Sequence, residues 1–182
     1  MRLTRTFLLA ATAAVALAAC DKQGGQATSP AAKEAAGDET LAKGIAADSK
    51  MGAALKATGL DATLGGPGPY TVLAPDDAAF DKMPAGALDT LMKPDARADL
   101  TALLTYHILP GTILAEDIGK AIDTGKGKAV LATMGGGTLT ATREGDAIVL
   151  ADGAGGKARV TKADDKRSNG VIHHLDAVLL PS

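Results

Sequence analysis

The chain has 182 residues, with 19 basic and 21 acidic side chains, a formal charge of −2 and one cysteine. Mild charge of mixed sign lacks the basic footprint that a nucleic-acid partner requires, and a lone cysteine excludes an intrachain disulfide, so packing must stabilise the fold. Two Tyr, two Phe and no Trp are too few for an exposed stacking platform of the kind that reads single strands or sugars.

In chain order, residues 1–19 read as an export signal. Arg2 and Arg5 form its positive start, and residues 7–17 form an apolar stretch too short to span a bilayer. Leu17-Ala18-Ala19-Cys20 resembles a bacterial lipobox, which makes Cys20 the expected lipidation site and first mature residue. Removal of residues 1–19 takes away two arginines and no acid, leaving a formal charge of about −4. Asp21, next to the cysteine, resembles a signal for retention on the periplasmic side of the inner membrane in Gram-negative hosts. Residues 20–37 carry few large apolar side chains and read as a flexible tether, with a reach of roughly 20–25 Å.

Residues 38–182 have the length of one domain. Leu41 and Ile45 belong to a first short helix that ends near Asp48. Ser49 caps a second carrying Met51 and Leu55, with Gly59 as its stop. Tyr70–Ala74 is the clearest strand. Pro75 ends its ladder pairing, and Asp76 is placed to cap the next helix through the N–H of Ala78 or Ala79. Phe80, one turn in, can fold back onto the core. Pro84 opens a helix with Leu88, Leu91 and Met92. Pro94 starts the best helix, whose stripe is Ala96, Leu100, Leu103, Leu104 and His107. A histidine on an apolar stripe reads as a neutral, hydrogen-bonded core residue.

From Gly111 onward the pattern turns to short β runs at Ile113–Leu114, 129–133, 139–142, 147–151 and 158–161, the spacing of an antiparallel sandwich or meander. The last run, Val171–Leu179, is the most apolar. It puts His173 on one face and His174 on the other, near Asp176 and partly open to solvent.

Three stretches carry a family resemblance: Tyr70-Thr-Val-Leu-Ala-Pro-Asp-Asp-Ala-Ala-Phe80, Leu103-Leu-Thr-Tyr-His-Ile-Leu-Pro-Gly111 and Ser168-Asn-Gly-Val-Ile-His-His-Leu-Asp-Ala-Val-Leu-Leu-Pro181. In that order they resemble the signatures of the fasciclin-like domain family. The resemblance implies an α+β fold, a β-sandwich wedge flanked by short helices, spanning residues 38–182. Its structural motif positions are Tyr70, Pro75, Asp76, Phe80, Tyr106, His107, Asn169, Gly170, His173 and Asp176. His174 departs from the pattern, which has an apolar residue there. The resemblance also implies adhesion and binding of protein or matrix, with no catalytic residue. Glu116-Asp117-Ile118 stands about where some animal members carry an Asp-Ile integrin-binding motif, and its plainer reading is a polar turn after a strand. The polar segment Thr161–Asn169 is a second candidate surface.

Other chemistry is not encoded. His173 and His174 point to opposite sides of a strand and cannot chelate one ion as a pair, so no metal and no cofactor is expected. Gly153–Lys157 lacks the Ser or Thr that a phosphate loop needs after its lysine. Asp76-Asp77 and Asp164-Asp165 read as a cap and a charged loop. The expected function is a membrane-anchored cell-envelope binding or adhesion module, non-catalytic, for an envelope or extracellular macromolecule, protein or polysaccharide. An envelope small-ligand carrier or an enzyme of unknown reaction is the alternative.

Overall fold

The computed structural model describes residues 37–181. The expected signal 1–19, Cys20 and all but the last residue of the tether 20–37 lie outside the described residues.

Short helices open the domain: α1 (Leu41–Gly44), α2 (Lys50–Thr58) and α3 (Leu60–Gly65). The Ser49 hydroxyl accepts the Gly52 N–H at 3.0 Å, and Gly59 stops α2 in a left-handed conformation, as the sequence predicts. After β1 (Tyr70–Pro75) come α4 (Asp77–Asp81), α5 (Ala87–Leu91), a 3-10 turn at Pro94–Ala96 and α6 (Arg97–Tyr106). Then follow β2 (Ile108–Pro110), α7 (Ala115–Thr124), β3 (Lys128–Ala132), β4 (Thr138–Glu144), β5 (Ala147–Ala151), β6 (Lys157–Arg167) and β7 (Gly170–Leu175).

The seven strands run in the order β2-β1-β7-β6-β5-β4-β3. Residues 157–159 of β6 pair with β5, whereas residues 160–167 pair with β7 across two register shifts. The strand thus changes partners partway along, and a bulge bends the strand that carries it. The sheet folds there into two leaves. Between them lies one core, with Leu73, Leu109 and Leu175 from one leaf and Ala129, Leu131, Leu139, Ala141, Leu150 and Ala158 from the other. A second core lies between the opposite face of the first leaf, through Val72, Ala74, Ile108 and Ile172, and the helices, through Leu41, Leu55, Phe80, Leu100 and Leu104. The domain is α+β, as expected.

Several local expectations need correction. β1 and β7 are parallel, paired Tyr70↔Gly170 through Pro75↔Leu175, whereas the spacing of the runs after Gly111 suggested an antiparallel sandwich or meander. β7 ends at Leu175, four residues short of the expected strand. Ile113–Leu114 is not a strand; Leu114 is the N-cap of α7, a helix the sequence reading lacked. Asp76 occupies the N-cap of α4 without a side-chain capping bond. Pro94 begins a 3-10 turn, which leaves Ala96 as the residue before α6. Tyr70, at the start of β1, is half-buried and packs against the core beneath the helices.

The turn into β7 joins the two ends of the helical layer. Asn169 Oδ1 accepts the Leu41 N–H at 2.8 Å, and its amide donates to Leu64 O at 2.8 Å and Gly66 O at 2.7 Å. A Cβ on Gly170 would sit 2.0 Å from Tyr70 O, so only glycine allows β1 to approach here. Asn169→Ala should cost about 2–3 kcal/mol, because it orphans one amide and two carbonyls. Asn169→Asp should not rescue it, since a carboxylate cannot donate to the two carbonyls. Phe80→Ala, at a residue 4 % exposed, should cost about 3–5 kcal/mol. Urea unfolding measures all three, and less than about 1 kcal/mol at Phe80 would place that ring outside the core.

Candidate functional site

Tyr106 and His107 form the corner where α6 gives way to β2. The Tyr106 hydroxyl donates to Thr138 O at 2.9 Å, and burial raises its pKa. A Cβ on Gly137 would come within 2.5 Å of the tyrosine ring, which explains a glycine in the β3–β4 turn that crosses it. His107 is 1 % exposed. Its Nδ1 lies 2.9 Å from Leu103 O, and its Nε2 lies 3.1 Å from the Leu179 N–H. A carbonyl only accepts and an amide N–H only donates, so the ring is the neutral Nδ1–H tautomer. Burial pushes its pKa down to about 4, against the opposing pull of the Leu103 carbonyl and Asp152. Asp152 accepts the next amide, Leu180 N–H, at 2.8 Å, and the Gly156 N–H at 2.6 Å. Two consecutive backbone amides of the C-terminal segment are therefore held by two buried side chains.

His173 is also fully buried and spent on the backbone. Its Nε2–H donates to Ile113 O at 2.8 Å, and its Nδ1 accepts the Asp164 N–H at 3.2 Å. Thr71, beside it on β1, donates to Gly111 O at 2.7 Å and accepts the Ile113 N–H at 2.8 Å. Together they fix the segment that leads into α7.

His174 faces the other way, as alternation requires, but its neighbours differ from those expected. Nδ1 is 3.4 Å from Asp76 Oδ1, and Nε2 is 3.6 Å from Asp165 Oδ2. Asp76 turns toward this ring rather than capping α4. Asp176 is occupied elsewhere, accepting the Arg159 N–H at 2.7 Å on its carboxylate and Lys82 Nζ at 2.6 Å on its carbonyl. Burial works to raise the Asp165 pKa, but Arg167 at 2.9 Å, with Lys162 and His174, outweighs it and holds the carboxyl below its ordinary value. Arg167 also reaches Glu39 at 3.1 Å, tying β6 to the start of the domain. Among the described residues, no three His, Cys, Asp or Glu side chains are arranged to hold a metal ion.

Glu116-Asp117-Ile118 is the first turn of α7, not a turn after a strand. Asp117 Oδ2 accepts the Leu114 N–H at 3.1 Å, a helix-capping role. Glu116 pairs with Lys120 at 2.7 Å; that hydrogen bond and charge lower the Glu116 pKa and raise that of Lys120. Ile118 is 1 % exposed and packs in the core between the leaves with Ile122. The triplet offers solvent only its two carboxylates. The other candidate surface, Thr161–Asn169, is not a loop: β6 runs through it to Arg167. Sequence reasoning missed Asn169 as a hydrogen-bond hub and Asp152 as a C-terminal anchor. Only the position of Asn169 before an essential glycine hinted at the first.

His107 makes stability depend on pH with a definite sign. Its folded pKa of about 4 lies below the ordinary 6.5, so between these values the unfolded chain binds a proton that the folded chain refuses. Its contribution is whole above pH 6.5 and is lost as pH falls toward 4, by about 3 kcal/mol in total. Urea unfolding at a series of pH values should show this loss, and His107→Gln should flatten that part of the profile. An unchanged slope in the variant would assign the acid sensitivity to the carboxylates.

Comparison with known proteins agrees with this architecture. A family model described as the fasciclin domain matches residues 48–181. "Protein sll1483" of Synechocystis is 38% identical over 148 residues, which are 81% of this chain and 71% of that protein. Transforming growth factor-beta-induced protein ig-h3 of Sus scrofa is 37% identical over 130 residues, 71% of this chain but 17% of that protein. Among solved structures, the FAS1 domain pair of the insect cell adhesion molecule fasciclin I is similar in fold. It matches with a TM-score of 0.50 and 23% identity, over 70% of this chain and 40% of that one. On the family model and the cyanobacterial relative, the chain belongs to the fasciclin domain family.

Proposed function

We propose that this chain is a membrane-anchored binding module of the cell envelope, non-catalytic, lipidated at Cys20 and carrying its domain on the tether 20–37. The observation that carries the reading is how the buried polar side chains are used. Thr71, His107, Asp152 and His173 each bond backbone groups of the fold, which leaves recognition to the outer surface. A catalytic group would instead be poised toward a reacting atom. The structurally similar fasciclin I is a cell adhesion molecule, and adhesion requires a macromolecular partner, here an envelope or extracellular protein or polysaccharide. Its identity is not carried over from ig-h3, of which this chain spans 17%. The signal-like residues 1–19 and the lipobox-like end at Cys20 favour a lipid anchor on the periplasmic side of the inner membrane. An open depression of about 310 Å³ lined by Ala57, Leu91, Met92, Lys93, Pro94, Arg97 and Leu100 is the foothold for the alternative, a small-ligand carrier.

Two measurements test the proposal. Metabolic labelling with a fatty-acid analogue should mark the parent chain, and Cys20→Ser should abolish the label and leave an unprocessed precursor. Equal labelling of both would refute the anchor. Cross-linking on intact cells followed by pull-down should recover the same macromolecule with the parent in repeated trials. A catalytic turnover abolished by a point substitution that leaves the fold intact would replace the binding module with an enzyme.

A further inference from the structure

The join between α5 and α6 opens a depression in the helical layer. Met92 ends α5, and Pro94 begins the 3-10 turn before α6. A proline disfavours the helical conformation in the residue before it, and Lys93 is accordingly extended, at φ −69° and ψ 147°. The two helices therefore do not merge, and a space of about 310 Å³ stays open between them and α2. Its floor is apolar, with Leu100 buried, Leu91 half-buried and Ala57 contributed by α2. Met92, beside them, is 36% exposed. The rim is cationic: Lys93 and Arg97 line the space and no acid does. Among the described residues, Arg143, Arg159 and Arg167 each face a carboxylate. Arg97 instead donates to Thr58 O, the last carbonyl of α2, at 3.2 Å and meets no carboxylate among those residues. One neutral carbonyl fixes the guanidinium and leaves its charge and most of its N–H donors unspent.

We propose that this depression binds a small amphipathic carboxylate, with its apolar chain on Leu91, Met92 and Leu100 and its head between Lys93 and Arg97. Size and charge select that class. The volume lies at the lower end of the range of about 300–1,000 Å³ in which ligand pockets fall, enough for one short chain or ring. The planar fork of an arginine matches the two oxygens of a carboxylate, and Lys93 adds a second, mobile positive charge. The chain as a whole has a formal charge of −2, so an organic acid is drawn to this local pair of cations and not to the surface at large. The unbranched Met92 side chain can adapt to ligands of different shape. Much of the ligand stays in contact with water, so its hold is weak, with a Kd of about 1 mM. The proposal gives a ligand class to the depression and is independent of the anchor and of the macromolecular partner proposed above.

The test is an NMR titration of the full-length chain, isotopically labelled at its methionine methyl groups, with octanoate. The Met92 resonance should move to saturation, while that of Met134, 46% exposed but outside the depression, stays in place. Octanol has the same chain without the charge, and acetate has the head without the chain. Each should bind about tenfold more weakly than octanoate. Lys93→Gln combined with Arg97→Gln should weaken octanoate about tenfold and leave octanol unchanged. Lys93→Glu, which spares the bond from Arg97 to Thr58 O, should weaken octanoate at least as much with the melting transition retained, because Lys93 is exposed. Equal binding of octanol would reduce the site to an apolar dimple and overturn the proposal. So would an unmoved Met92 resonance, matching shifts at Met92 and Met134, or an octanoate affinity that the charge variants leave unchanged.

Discussion

The parallel pair β1–β7 is buried on both faces, and that constraint organises the domain. One face of the pair belongs to the core between the leaves and the other to the core beneath the helices. A strand pair in this position tolerates apolar side chains, or polar ones whose bonds close inside the fold. Val72 and Ile172 meet the helices, and Leu73 and Leu175 meet the second leaf. The polar exceptions facing that leaf, Thr71 and His173, are the residues that reach Gly111 and Ile113. They tie the start of α7 to the middle of the sheet. Residues that look like candidate chemistry in the sequence are, in the fold, fasteners for irregular backbone.

The same logic separates the three histidines. His107 and His173 each use one ring nitrogen as donor and the other as acceptor, an arrangement open only to a neutral imidazole. His174 lies on the opposite face and meets two carboxylates, Asp76 and Asp165. That ionic neighbourhood suits a histidine: Arg167 and Lys162 hold Asp165, and the ring lies between Asp165 and Asp76.

The sequence revealed the parts of the fold governed by local chemistry. Ser49 and Gly59 bound α2 as their local chemistry requires, and β5 begins and ends where its apolar run does, whereas β2 at Ile108–Pro110 follows α6 before the expected β pattern begins at Gly111. What stayed hidden is governed by distant partners. Strand direction in β1–β7 leaves no mark on either segment, because a strand buried on both faces reads the same in either sense. α7 carried a helical signature in its Ile118–Ile122 and Glu116–Lys120 spacings. Gly119 in its middle and the β runs on either side mask that signature. β6 was read too short because Asp164 and Asp165 suggest a loop. Their polarity is met by His173, Arg167 and the Ala115 amide instead. For Glu116-Asp117-Ile118, a three-residue likeness said nothing about burial, and burial decides which of those side chains a partner can touch.

The parallel pairing also bears on the order in which the domain can be made. β7 fills the slot between β1 and β6, and its partner residues on β1 come one hundred positions earlier, as in Tyr70↔Gly170. A chain growing from its N-terminus holds β1 and β2 long before it holds the strand that joins β1 to β6. Until Gly170–Leu175 emerges, one leaf lacks its middle and the core between the leaves lacks Leu175 and Leu179. Closure over so long a separation is slow and arrives late. The sheet thus lacks its centre, and the core between the leaves its closing side chains, until Gly170–Leu175 follows β6.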